Sequence, residues 1–264
     1  MSRTYDQLRA HSAPEATLIE PLNMRPLFFS TRRAARVLGC SFVLVAAVSW
    51  IAAGYDLGEI RALAHEEGAA LDTAAKLAHA EAGHRIAIVQ SVCAVLLAAM
   101  FVPWLHQARA NLRALGTRRL RFRREWTYFS FVIPVLNAYR PYQVVSEVWR
   151  ASDPASTDPV GWQRVPTSRL VLAWWVGLAA WIALEGISAL LLRVAPGLHH
   201  VQIAHTISFA GDVGAALSAS LGYFIVARIT AAQDAKWVAF GLGDRVLLDP
   251  EAARACPSAF GASV

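Results

Sequence analysis

Val37 to Tyr55 runs for 19 residues without a charged side chain, and Ile86 to Leu105 runs for 20. Leu170 to Leu192 repeats the pattern with Glu185 as its single charge. Ile203 to Ala227 is interrupted only by His205 and Asp212. A helix needs about 20 apolar residues to cross a bilayer. Within hydrocarbon, only a helix or a closed barrel satisfies every backbone polar group. The four runs predict an all-α integral membrane four-helix bundle with spans at 37–55, 86–105, 170–192 and 203–227. Composition agrees: charged residues make up 17% of the 264, against about 25% in a soluble domain. Such an apolar chain is neither an ordinary soluble domain nor intrinsically disordered.

The formal net charge is nevertheless +6, and arginine supplies nearly all of the basic residues. Their placement gives the topology. Residues 1–36 carry six Arg, and residues 108–169 carry eleven. The loop 56–85 carries three basic residues against six acids. With four spans, 21 of the 25 basic residues fall on one side, as the positive-inside rule requires of a cytoplasmic face. Trp126 to Tyr139 is uncharged but only 14 residues long, with Pro134 inside it. That is short for a span, and if it crossed, one Arg-rich block would lie outside. Residues 126–151 are therefore expected as a re-entrant or interfacial segment on the cytoplasmic side. Within it, Pro141 followed by Val144, Val145, Val148 and Trp149 predicts a short amphipathic helix, ended by Ser152-Asp153-Pro154.

The expected organisation is a flexible cytoplasmic N-terminal arm (1–36), a membrane domain (37–228) and a cytoplasmic tail (229–264). The first span is longer than a secretory signal's apolar core and is read as a retained anchor. Leu57, Ile60, Leu63, Leu71, Ala75 and Ala78 recur at helical spacing in the outer loop, so spans one and two are expected to extend outward as a helical hairpin.

The middle of the chain carries a distinctive series. Trp104 is followed by Arg109-Ala-Asn111 and Leu115-Gly116. Next come Ile133-Pro134, Asn137 and Arg140-Pro141, then Glu147-Val-Trp149-Arg150 and, after a polar linker, Trp174-Trp175. In this order the motifs resemble the bacterial membrane family called domain of unknown function 4328, closely over residues 85–195. The resemblance implies a four-span protein of the bacterial inner membrane and supplies no activity. His106 and the long helical outer loop depart from the family pattern.

Three groups of residues are candidates for function. Arg118, Arg119, Arg121, Arg123 and Arg124 belong to a run of seven cations within 16 residues. At an anionic leaflet each adds about 1 kcal/mol of attraction. They anchor topology at least, and form a docking face for lipid headgroups or a partner at most. No nucleic-acid motif accompanies them. Asn111, Asn137, Arg140 and Glu147 form a second set. They make either a polar clamp that holds the re-entrant segment or a cytoplasmic pocket for a headgroup or small anion.

Glu185, Asp212 and His205 form the third set. A span's charges mark function by default. Helices joined by the short turn 193–202 must be antiparallel neighbours, which puts the two carboxylates at similar depth. They serve either as interhelical hydrogen-bonding groups or as a proton or cation path. Trp104, Trp126, Trp174 and Trp175 are expected at the membrane interfaces. The histidines and three cysteines show no metal-ligand spacing. Nucleophile elbows, P-loops and dinucleotide motifs are missing, so neither catalysis nor a cofactor is expected. The leading expectation is a non-enzymatic component binding anionic lipid headgroups, a protein partner or a second copy of itself at its Arg-rich face. The alternative is a small proton- or cation-coupled transporter or channel.

Overall fold

The computed structural model describes residues 28–65, 73–122, 127, 139–156, 158–194 and 197–248. They form five α-helices: α1 (Arg32–His65), α2 (Thr73–Ala114), α3 (Arg140–Ala151), α4 (Arg169–Val194) and α5 (Leu198–Leu248). One 3-10 turn, Gly161–Arg164, precedes α4. No strand occurs among the described residues. Four helices are long and apolar enough to cross a membrane, over Arg32–Ala64, Glu81–Ala114, Arg169–Val194 and His199–Ala239. Large apolar side chains such as Val43, Ile51, Val95, Leu96, Val176 and Leu190 project outward along their middles. A belt of that kind suits lipid, whereas a soluble monomer keeps its exposed apolar patches small.

At 1.5 Å per residue the 51 residues of α5 extend about 77 Å, far beyond a hydrocarbon core of about 30 Å. Its helix continues through the boundary at 228. Ile229, Thr230, Gln233, Asp234 and Lys236 stay buried there, because α5 still packs on the start of α1 and the ends of α2 and α3. The long α1 and α2 likewise run past the spans read from the sequence. The tip between them, and most of 123–138, lie outside the described residues.

Helix α5 is the centre of the bundle, packed lengthwise against α1 on one side and α4 on the other. Helix α2 lies along α1 and reaches α4 through Phe101, whose ring stands 5.6 Å from Trp104 and 5.7 Å from Trp174. Small residues set these approaches. Gly222 on α5 sits so close to Phe42 on α1 that a Cβ there would come 2.4 Å from its ring. At the α4–α5 crossing, Gly177 lies against Ser218 and Gly214, and Ser218 Oγ donates to the Trp174 carbonyl at 2.9 Å.

The bundle has two unlike ends: the arginine end (the start of α1 and the α2–α4 connection) and the acidic end (the end of α1 and the start of α5). The core is densest toward the arginine end, where Leu105, Ala108 and Leu112 of α2 meet Val144, Val145, Val148 and Ala151 of α3. Helix α3 lies where the valine spacing puts it, with Pro141 in its first turn and Ser152 capping its end. One expectation is corrected. Trp104 and Trp174 are 2% and 4% exposed and belong to the core. Trp104 meets Phe101 from the next turn of α2 and Trp174 meets it from α4, so packing, not an interface, holds these two rings.

Helix α2 ends in a Schellman motif. Gly116 has φ +77°, Thr117 N–H donates to the Leu112 carbonyl, and Gly116 N–H to that of Arg113. A positive φ is cheap only for glycine, so Gly116 turns the chain into the arginine-rich connection.

Candidate functional site

Near the acidic end, polar side chains from all four long helices converge on one cavity of about 450 Å³. On α1, Ser49 and Asp56 are two turns apart and therefore share a face. Gln90 comes from α2, Glu185 and Ser188 from α4, and His205, Ser208 and Asp212 from α5.

Gln90 is the link between three helices. Its amide donates to Asp212 Oδ1 at 2.6 Å and to Ser49 Oγ at 3.2 Å. His205 Nδ1 lies 2.8 Å from Asp56 Oδ1, joining α5 to α1. The Tyr55 ring packs edge-on to His205 at 6.2 Å. Ser208 donates to Glu185 at 3.1 Å, and Ser188 to the Ala204 carbonyl at 2.9 Å. Asp56, Gln90 and Asp212 are all nearly inaccessible to solvent. The cavity lining includes three carboxylates and no Arg or Lys among the described residues.

Glu185, Asp212 and His205 thus line a common cavity. Glu185 and Asp212 are not hydrogen-bonded to one another: the first takes Ser208 and the second takes Gln90. A Cβ on Gly211 would meet Glu185 Oε1 at 3.1 Å, so the missing side chain at 211 makes room for that carboxylate. Sequence reasoning overlooked Asp56, Gln90 and Ser49. Asp56 is the residue immediately after the first uncharged run, and Gln90 is an amide inside the second. Both were visible as polar exceptions at the edge of or within a span.

At the arginine end a second polar cluster ties chain segments together. Asn111 is fully buried; its amide donates to the Phe29 carbonyl at 2.8 Å and to Gln233 Oε1 at 3.3 Å. Its carbonyl accepts from Phe29 N–H at 3.2 Å and from Gln107 at 3.1 Å. Gln233 in turn donates to the Ala108 carbonyl and to Ser152 Oγ, and Lys236 Nζ to the Ala151 carbonyl. These bonds fasten α5 and the segment before α1 to α2 and α3.

Glu147 accepts from Arg121 N–H at 2.7 Å and pairs with Arg109 at 3.5 Å, both partners of the ion pair being buried. Burial pushes the Glu147 carboxyl above the usual glutamate range, against the pull of Arg109. Arg140 lies on the same helix but turns elsewhere, over the rings of Phe122 at 5.2 Å and Tyr139 at 5.3 Å. Asn137 lies outside the described residues. So do Arg123 and Arg124, while Arg118, Arg119 and Arg121 are exposed. Their backbone is pinned: Arg118 N–H donates to the Pro159 carbonyl at 2.9 Å, and its carbonyl accepts from Trp162 Nε1 at 3.0 Å. His106, the departure from the family pattern, meets Thr127 Oγ1 at 2.8 Å.

No curated protein and no solved structure matches the chain significantly. A family model does, over residues 67–231, which takes in α2, α3, α4 and most of α5. Gln90, Glu185, His205 and Asp212 fall within the match, and Ser49 and Asp56 fall before it. With four apolar helices built around a shared polar centre and a match covering more than half its length, the chain belongs to the family described as Domain of unknown function (DUF4328).

Proposed function

We propose that this protein is a multi-pass component of the bacterial inner membrane, with both termini in the cytoplasm, and that it binds and passes a proton or small cation through the cavity of Asp56, Gln90, Glu185, His205 and Asp212. One observation carries this reading: carboxylates from three helices face one cavity within the apolar part of the bundle. Buried charge is costly in a span and persists where it serves a pathway or a partner. The site has more acceptors than donors, so its complement is a cation. The topology follows from the arginine distribution.

Reconstitution into liposomes tests it. The wild type is expected to dissipate an imposed proton, sodium or potassium gradient. Asp212→Asn keeps an acceptor for Gln90 while removing the charge. It is expected to slow that flux by about tenfold, as loss of about 1.4 kcal/mol implies. If no gradient is dissipated at any pH, the transport reading is wrong.

A second reading rests on a different observation. Arg118, Arg119 and Arg121 are exposed on a backbone held from both sides. Such a fixed cationic edge suits anionic headgroups or an acidic partner at the cytoplasmic face. Replacing all three by Gln is expected to lower co-sedimentation with anionic vesicles, and unchanged binding overturns it.

A further inference from the structure

We propose that the groove between α1 and α5 at the arginine end is a binding site for a single anionic phospholipid. The groove holds about 1350 Å³, more than the roughly 300–1,000 Å³ of a pocket for a drug-sized ligand. Its wall is apolar and small: Ala35 and Gly39 on α1 face Ala227 and Ala231 on α5. Tyr223 closes its deep end, its ring lying 3.0 Å from where a Gly39 Cβ would stand.

Depth and charge select the occupant. From Arg36, the last charge before the apolar run, to Val43 at the far end is seven residues of α1, about 10 Å. One leaflet's share of a hydrocarbon core of about 30 Å is about 15 Å, so the groove reaches about two thirds of the way through one leaflet. Its mouth is cationic. Arg36 is exposed there, and the Nε of Arg32 is held at 2.5 Å by the buried Asp234 carboxylate. That bond holds the guanidinium while leaving the side chain 69% exposed. A guanidinium edge held in place matches two oxygens of a phosphate. Acyl chains would lie along Gly39, Cys40, Val43 and Tyr223, and the phosphate would meet Arg32 and Arg36. This site is separate from the acidic cavity and from Arg118–Arg121, and stands whether or not either of those readings holds.

Cys40 lines the groove and is a free, exposed thiol, which gives a probe in place. The full-length chain with Cys93→Ser and Cys256→Ser is labelled at Cys40 with a benzophenone. It is then irradiated in vesicles of equal phosphatidylglycerol and phosphatidylcholine with matched acyl chains. The expected product is a phosphatidylglycerol adduct in several-fold excess over phosphatidylcholine. Arg36→Gln is expected to abolish that preference while lipid capture continues. Ala231→Trp, at an exposed position, is expected to fill the groove and reduce both adducts. Unlabelled wild type in detergent is expected to retain phosphatidylglycerol over phosphatidylcholine by native mass spectrometry. Equal capture of the two lipids overturns the proposal. So does a cross-linked dimer, which assigns the groove to a second copy, or a cross-link to residues 1–27, which assigns it to the chain's own arm.

Discussion

Asn111 shows how a single residue holds distant parts of this chain together. Its one amide serves the segment before α1, α2 itself and α5, with the Phe29 backbone bonded in both directions. A buried group left without its partner costs about 1–3 kcal/mol. Asn111→Ala removes the donor to the buried Gln233 Oε1 and releases the Phe29 amide and carbonyl. It is expected to destabilise the protein by about 2–3 kcal/mol, read as a lower thermal midpoint in detergent. An unchanged midpoint means those bonds contribute nothing net. Glu147 predicts a pH effect at the same scale. Its carboxyl is raised in the folded protein, so its contribution is fully present below the ordinary glutamate value of about 4.3 and is lost as pH rises through the raised one. Glu147→Gln cannot titrate. Its thermal midpoint is expected to fall less than that of wild type between mildly acid and neutral pH, and parallel profiles would exclude Glu147 as the cause.

At the scale of elements, helix contacts in this bundle are set by missing side chains. Lipid is as apolar as leucine, so helices associate through close packing and a few polar contacts. Gly222 admits Phe42 into the α1–α5 seam, and Gly177 admits Ser218 at the α4–α5 crossing. Gly222→Ala puts a methyl where the buried Phe42 ring lies. Overpacking of this kind costs about 1–3 kcal/mol. Adding Phe42→Leu is expected to recover part of the loss, since the two changes share one contact. If the double variant is no better than the sum of the singles, the seam is not what Gly222 protects. Helix α3 makes a complementary point. Its valines at helical spacing predicted a buried face, and that face fills the space between α2 and α4.

For the whole molecule, the unequal ends organise the reading. One end carries most of the arginines and the hydrogen-bonded junction around Asn111. The other carries the acidic cavity. The proposed orientation predicts that reporters fused after Ser152 and at the C-terminus report cytoplasm, and that one near Asp72 reports the outside. A periplasmic signal after Ser152 would require 126–139 to cross. The number, order and apolar character of the spans were legible in the sequence, because bilayer thickness imposes a length that any uncharged run must meet. The family was legible too, from Asn111, Glu147 and the Trp174-Trp175 pair in fixed order. Glu185, His205 and Asp212 stood out because charge in a span is costly and therefore rare. Their partners did not. Asp56 and Gln90 reach them across 149 and 122 residues of chain, and no periodicity encodes which faces of separate helices will meet. The same limit hid the Glu147–Arg109 pair and the burial of Trp104. Local pattern determines what each helix is. Only packing, through the few places where glycine lets two helices close, decides which polar groups share a cavity.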